Sequence, residues 1–297
     1  LDQIIAVSEA KLRAILREIP DGRWTCTNYL DYYDDNRMKI YACRLTLIKE
    51  GNGLLFDFTG SSKQAPAVVN ATYAATEGYL LRAMLGLFGF AVSHCPAAIQ
   101  RVMQIKAELG TIVHCAWPAG VCKGTTSVTQ GVWQAATFCL SQMLLGSEKY
   151  GARAMAVSRG HLLILDVLGQ DQYGVPFVAV LQDCCQAAGS AAGVAGNGID
   201  TGGIPEPEVS IPNVEGNEFR YPILYLYRRQ EADSGGPGKF RGGVGLSMAF
   251  MPHDVPEISD MVIHTHGVTF PSALGLSGGH PGSLNRITIK RDTNIQA

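Results

Sequence analysis

Charge is scarce along these 297 residues: Asp, Glu, Lys and Arg make up 17% and nearly cancel, leaving a formal net charge of -2. Lys and Arg are scattered, so the basic footprint of a nucleic-acid binder or a polybasic membrane anchor is missing, and a small molecule or a protein is the expected partner. Long apolar runs are missing too. The greasiest stretch, residues 79–92, is broken by Arg82, Gly86 and Gly89 and falls short of the ~18 to 20 apolar residues that cross a bilayer. Cysteine is not dense: the eight, at 26, 43, 95, 115, 122, 139, 184 and 185, include no C-x-x-C pair and lack the crowding of a secreted disulfide scaffold, which points to a reducing cytoplasm. There is no G-x-x-x-x-G-K-[ST] phosphate loop, since Gly120-Val121-Cys122-Lys123-Gly124 has the wrong order. Gly193, Gly196 and Gly198 do not make a G-x-G-x-x-G fingerprint after a clear strand, so any nucleotide is expected to bind elsewhere. Position 1 is Leu, and helical periodicity begins at once with no capping residue or signal-peptide pattern, which suggests numbering that starts inside a longer polypeptide.

What is present is apolar residues enough, 46% of the chain, to bury a sizeable core in one large domain or two ordinary ones. Leu1, Ile4, Ile5, Leu12, Ile15, Leu16 and Ile19 fall on one helical face, and Pro20-Asp21-Gly22 ends that helix. Strands are predicted over 24–30, 39–49 and 54–59, with a turn at Glu50-Gly51-Asn52-Gly53. Residues 70–88 and 125–145 read as buried helices, 97–108 as a short helix, and 111–116 and 162–168 as strands. Asn70-Ala71-Thr72 fits a glycosylation sequon, but its position favours Asn70 as a helix N-cap. Residues 189–203 form a Gly/Ala loop suited to close backbone approach, and 221–228, 245–251, 261–265 and 285–291 are short β-like runs between Gly/Pro turns. The expected architecture is mixed α/β (α+β), helices packed on mixed sheets with a β-rich C-terminal third, divided into an α/β part at 1–188 and a Gly-rich, β-rich part at 189–297.

Several blocks carry a resemblance. Glu18-Ile19-Pro20-Asp21-Gly22, Asp31 with Asp34-Asp35, and Phe56-Asp57-Phe58-Thr59-Gly60-Ser61-Ser62 come first. Pro66 to Asn70 ahead of a helix, the run Asp233-Ser234-Gly235-Gly236-Pro237-Gly238-Lys239-Phe240-Arg241-Gly242-Gly243, and Gly275-Leu276-Ser277-Gly278-Gly279-His280-Pro281-Gly282-Ser283 follow in order. Asn213-Val214-Glu215, Glu218 and Tyr221-Pro222 precede the Asp-Ser-Gly-Gly run. Together they resemble the C-terminal part of the hydantoinase B/oxoprolinase family. The resemblance implies ATP-dependent hydrolysis of a cyclic amide such as a hydantoin, 5-oxoproline or a lactam, with carboxylation of an acetone- or acetophenone-like ketone as the alternative. It also implies a hetero-oligomer with an A-type subunit that binds ATP, and a divalent metal such as Zn, Mn or Mg whose ligands lie upstream of residue 1. No metal ligand is therefore assigned within 1–297.

The candidate site residues follow from side-chain chemistry. Asp233 and Asp200 are the catalytic candidates, each a carboxylate in a Gly-rich setting that lets a ligand approach. Arg241 could hold a carboxylate or phosphate, with Ser234, Asn213, Glu215 and Glu218 as further substrate-binding candidates. Structural turns and loop ion pairs account for the same residues. Other readings belong to different classes. Asp233-Ser234-Gly235-Gly236-Pro237 also fits a chymotrypsin-like nucleophile segment, with Val92-Ser93-His94-Cys95 as its histidine segment, although predicted long buried helices oppose a protease. Gly275-Leu276-Ser277-Gly278-Gly279 fits G-x-S-x-G, but His280-Pro281-Gly282 cannot open the helix an elbow needs, so a turn is expected. His94-Cys95, His114-Cys115 and the pair His264/His266 lack a standard metal spacing, and Cys184-Cys185 reads as buried thiols or a redox pair. A scaffold subunit without its own chemistry is the remaining alternative.

Overall fold

In a computed structural model the described residues are 1–34, 37–93, 95–158, 163–203, 211–291, 293 and 295. Six helices occur among them: α1 (Asp2–Glu18), α2 (Tyr73–Val92), α3 (Pro96–Gln100), α4 (Val128–Leu145), α5 (Asp183–Gln186) and α6 (Val214–Arg220). The strands are β1 (Gly22–Asp34), β2 (Arg37–Glu50), β3 (Gly53–Asp57), β4 (Met103–Lys106), β5 (Ile164–Gln170), β6 (Pro176–Leu181), β7 (Ile223–Gln230), β8 (Leu246–Pro252) and β9 (Asp260–His264). They form a four-stranded sheet β1-β2-β3-β4, a three-stranded sheet β6-β5-β9 and the pair β7-β8. The mixed α+β class expected from the pattern is what forms.

In the first sheet β1, β2 and β3 pair antiparallel in sequence order, whereas β4 returns after α2 and α3 and pairs parallel to β3. On β2 burial alternates from Cys43 to Lys49, with Cys43, Leu45 and Leu47 facing the core. Lys49 continues that inward row and is 2% exposed, its ammonium donating to the Ile19 carbonyl and to Asp21. Of the two helices that read as buried, α4 packs on β1 and β2 of this sheet and α2 packs on α4. Helix α4 is apolar or small on nearly every face and buried over almost its whole length, as a helix enclosed on all sides must be. Of its buried polar side chains, Gln134 is met by the sheet: the Asn28 amide donates to the Gln134 amide oxygen at 2.8 Å. Leu165, Val167, Ala179, Leu181 and Ile223 form a second, smaller cluster, so strands that precede the glycine-rich loop share a core with one that follows it.

Several expectations need correction. Asn70 is not the N-cap of α2; Thr72 is, accepting from the Ala75 N–H, while Asn70 is fully buried. The Asn70 amide accepts from Ala65 N–H at 2.7 Å and donates to the carbonyls of Ala65, Ala67 and Gly120, stitching two loops that have no ladder of their own. Asn70→Ala should orphan those groups and destabilise the chain by about 2–3 kcal/mol in urea unfolding. Residues 97–108 split into α3 and β4 rather than one helix. Residues 111–116 make isolated bridges and a turn instead of a strand, since Thr111 bridges His114 in its own segment. Residues 285–291 carry no strand. Residues 214–220, which lack a clear helical pattern, are helical because Asn213 caps them, its side chain accepting from Gly216 N–H.

Candidate functional site

Three glycine-rich segments meet: the loop at 189–203, the run at 233–243 and the turn region at 273–283. Their contacts are main chain to main chain. Gly198 N–H donates to the Arg241 carbonyl at 2.8 Å, Gly243 N–H to Ser190 at 2.9 Å, and Thr201 N–H to Val244 at 2.8 Å. The third segment joins through His280 N–H to the Pro237 carbonyl and Ser283 N–H to the Ser234 carbonyl. Glycine is required here because backbones touch: a Cβ on Gly189 would stand 1.8 Å from the Gly243 carbonyl oxygen. The composition of the loop indicates close approach, and the partners turn out to be the other two segments.

Between these segments and the end of α4 lies a cavity of about 520 Å³. Aliphatic side chains including Leu145, Val157, Leu163 and Leu274 supply part of its wall, and the thiols of Cys184 and Cys185 another part. Burial pushes the Cys184 thiol up to about 12, so it is a neutral wall group and not a thiolate nucleophile. The acidic, basic and imidazole side chains of the lining, Glu231, Lys239 and His280, are all exposed and therefore stand at the mouth.

Of the residues singled out from sequence, Ser234 lines this cavity, whereas Asp200, Asp233, Arg241, Asn213, Glu215 and Glu218 do not. Arg241 binds Asp200 in a two-pronged pair, 2.7 and 2.9 Å, and Val244 N–H donates to the same carboxylate. The Arg241 guanidinium and that N–H hold the Asp200 carboxyl down at about 2, so it stays ionised and locks the 197–203 loop to the 241–244 segment. Asp233 is exposed, at positive φ (56°), immediately before the lining residue Ser234. The Ser234 hydroxyl donates to the Glu231 carbonyl and accepts from Gly245 N–H, both at 2.8 Å, which is a turn lock with no histidine bonded to it among the described residues. His94, the other half of the protease reading, lies outside the described residues, as does Asp35. Asn213 caps α6, and the Glu218 carboxylate accepts from Tyr225 N–H at the start of β7. Ser277 and Gly278 take positive φ in a turn closed by Gly279 N–H to the Leu276 carbonyl, as expected for that block.

Sequence reasoning missed a second cluster. Asp31, on β1, is 4% exposed, and its carboxylate accepts from three successive N–H groups, Gly267 and Val268 at 2.8 Å and Thr269 at 2.5 Å. The ring of His266 contacts the Asp31 carbonyl through Nδ1 at 2.7 Å and the Ser127 hydroxyl through Nε2 at 2.8 Å. A carbonyl only accepts, so Nδ1 carries the proton, and in the neutral ring Nε2 accepts from Ser127. The composition is that of a hydrolytic triad, but the Ser127 and His266 side chains are buried, 2% and 3% exposed, and line no part of the cavity. It is a strut joining β1, the start of α4 and the segment after β9. His264 instead pairs with Asp166 at 2.7 Å, because β9 ends at His264 and the two histidines do not share a face.

Burial pushes the His266 imidazole below its ordinary value of 6.5, against the opposing pull of the Asp31 contacts and with Lys123 adding to the depression. A group that resists protonation in the folded state makes the unfolded state gain protons first. The stability tied to it is complete above about pH 6.5 and is lost as pH falls from there through the folded value. The expected result is a melting temperature that drops between pH 7.5 and 5.5, with a smaller drop in His266→Gln.

Among the described residues no three His, Cys, Asp or Glu side chains come together as a metal would require. Among the described residues no donor set fits a divalent ion. Nor, among the described residues, is any helix long and apolar enough to cross a membrane.

Comparison with known proteins agrees with the fold. The family model described as hydantoinase B/oxoprolinase matches residues 1–297. The chain is similar to the acetophenone carboxylase delta subunit of Aromatoleum aromaticum, 26% identical over 99% of this chain and 42% of that subunit. Among solved structures, a nucleotide-free acetone carboxylase superposes with a TM-score of 0.81 at 21% identity over 95% of this chain and 38% of its own. An ATP-dependent caprolactamase from Pseudomonas jessenii gives 0.67 at 22% identity over 84% of this chain and 42% of its own. The chain thus spans about two fifths of the length of these relatives.

Proposed function

The chain belongs to the hydantoinase B/oxoprolinase family, and from that membership we propose that it is part of a B-type subunit in an ATP-dependent complex that hydrolyses a cyclic amide such as a hydantoin, 5-oxoproline or a lactam. The single observation that carries this reading is the family match along the whole chain. The site supports it in one respect. A cavity whose charged groups stand only at its mouth suits a neutral carbonyl compound and not a triphosphate, so ATP belongs to an A-type partner. A second reading, ATP-dependent carboxylation of a ketone, is favoured by the similarity over 99% of the chain to a carboxylase subunit. The divalent metal of either reaction is assigned to residues upstream of position 1, and the cytoplasm is the proposed compartment.

In this reading Asp200 and Arg241 act by holding the cavity wall, and Asn213 and Glu218 by seating α6 against β7. Asp233, exposed and next to the lining residue Ser234, is retained as the proposed catalytic carboxylate. Asp233→Asn should then lower turnover with assembly intact, while Arg241→Gln should lower assembly and turnover together, as read by size-exclusion chromatography beside an ATPase assay. The deciding experiment is ATP consumption by the native complex with hydantoins, 5-oxoproline and lactams, and separately with ketones plus bicarbonate. Turnover of a cyclic amide without bicarbonate supports hydrolysis. Strictly bicarbonate-dependent ketone turnover moves the chain to the carboxylases, and no ATP use with either class overturns the assignment as an enzyme.

A further inference from the structure

We propose that residues 286–291 are an edge strand completed by an acidic strand from the part of the same subunit that lies outside residues 1–297. The run Arg286-Ile287-Thr288-Ile289-Lys290-Arg291 has the composition of a strand, with β-branched Ile287, Thr288 and Ile289 at its centre and the two isoleucines alternating with polar side chains. No ladder forms, however. Asn285 N–H donates to the Gly267 carbonyl, and its side-chain amide donates to the Thr265 hydroxyl and the His266 carbonyl, which fixes the start of the run against the segment that follows β9. Beyond Asn285, no hydrogen bond and no ion pair joins any residue of 286–291 to another described residue. All of them except half-buried Ile287 are exposed. A β-prone run whose backbone N–H and C=O groups stand open is a template for strand pairing.

The charges select the occupant. Arg286, Lys290 and Arg291 are the ionisable side chains of the run, and no carboxylate among the described residues pairs with them. In an extended strand Arg286, Thr288 and Lys290 stand on one face. A second copy pairing antiparallel about Thr288 would set Arg286 opposite Lys290 at both ends, and like charges directly opposite destabilise a pair. A strand with Asp or Glu opposite Arg286 and Lys290, and apolar residues opposite Ile287 and Ile289, suits both faces. The source follows from length. In the reading proposed above, on which this inference rests, the chain is part of a B-type subunit, and it spans about two fifths of the length of its relatives. The polypeptide that completes such a subunit is tethered to this chain, so its strand is offered at an effective concentration that a separate molecule does not match.

The test is hydrogen exchange on the native complex, followed by a zero-length carbodiimide cross-link that joins the Lys290 amine to a carboxylate in contact with it. The amides of 286–291 should exchange at least about a hundredfold more slowly than those of an unstructured peptide. Lys290 should be joined to an Asp or Glu outside residues 1–297, in a product that runs as one chain on a denaturing gel. Thr288→Pro removes an N–H from the middle of the run and should lower protection there at least about tenfold while the β1-β2 ladder keeps its own. Arg286→Glu should do the same through charge, and Arg286→Lys should not, so a variant that fails to assemble leaves another to decide. Exchange at the unstructured rate overturns the inference, as does protection that survives both Thr288→Pro and Arg286→Glu. Protection without a cross-link overturns it too. So does a cross-link within 1–297, or a heavier band that joins Lys290 to a second copy or to a partner subunit. Neither readout needs turnover, so a complex that uses no ATP on any substrate sinks the proposed reaction and leaves this inference standing. A subunit mass that matches residues 1–297 alone overturns the reading as part of a longer subunit and this inference with it, whereas unprotected 286–291 in a longer subunit overturns the inference alone.

Discussion

Asp31→Ala should destabilise the chain by about 3 kcal/mol or more, which in a protein of this size lowers the melting temperature by about 5–10 °C. The reasoning is local. The Asp31 carboxylate is 4% exposed and receives three successive N–H groups from residues 267–269. Alanine removes the acceptor and leaves those donors buried with nothing to meet, and each such group costs about 1–3 kcal/mol before water enters. Asp31→Asn keeps one carbonyl oxygen and turns the other position into a donor facing a donor, so it should fall between wild type and alanine. The same strand places Tyr29 against the Phe270 ring at 5.2 Å, so loosening 267–269 should also release that contact. Hydrogen exchange at Gly267 to Thr269 is the specific reading, with protection lost there before the β1-β2 ladder opens. A change below about 1 kcal/mol with protection retained would mean that the segment is held without Asp31.

The strut is invisible in the sequence for a physical reason. Periodic elements are visible because their signal is contained in a single window: the alternation on β2, the apolar face of α1 and the enclosed composition of α4 each predict the element observed. Asp31 gives no such signal, since its partners lie more than two hundred residues away and are peptide groups, which any residue type supplies. His266 likewise reads as a strand residue beside His264 until β9 is seen to end before it. Helix α6 is hidden because a seven-residue helix has too few turns to show a period, and its capping Asn213 looks like a binding residue. Residues 111–116 mislead in the opposite way. Ile112 and Val113 are buried like strand residues, but a Thr111 to His114 bridge turns the chain back on itself. At the site, the sequence marks the right segments as blocks and cannot say that they face one another, because glycine announces close approach without naming what approaches.

That close approach makes the second large effect. Gly243→Ala should cost about 3 kcal/mol or more, because the added Cβ would stand 2.0 Å from the Ile199 carbonyl oxygen. Nothing flexible can yield, since the neighbour is backbone, so the 189–203 loop and the 241–244 segment must move apart. Moving apart breaks Gly243 N–H to Ser190 and strains Gly198 N–H to Arg241 and the Asp200 pair with Arg241, which all cross the same seam. Two glycines of the same loop give the control. A methyl group added at Gly193 or Gly196 would meet nothing within 4 Å, and neither residue has positive φ, so alanine at either should stay within about 0.5 kcal/mol of wild type. Urea unfolding of the three variants side by side decides between two accounts of the glycine blocks. A large loss at 243 with none at 193 and 196 means that these blocks exist to pack main chain on main chain and thereby shape the cavity, whereas equal tolerance at all three would mean that the seam opens freely and that the cavity is not a fixed feature of the fold.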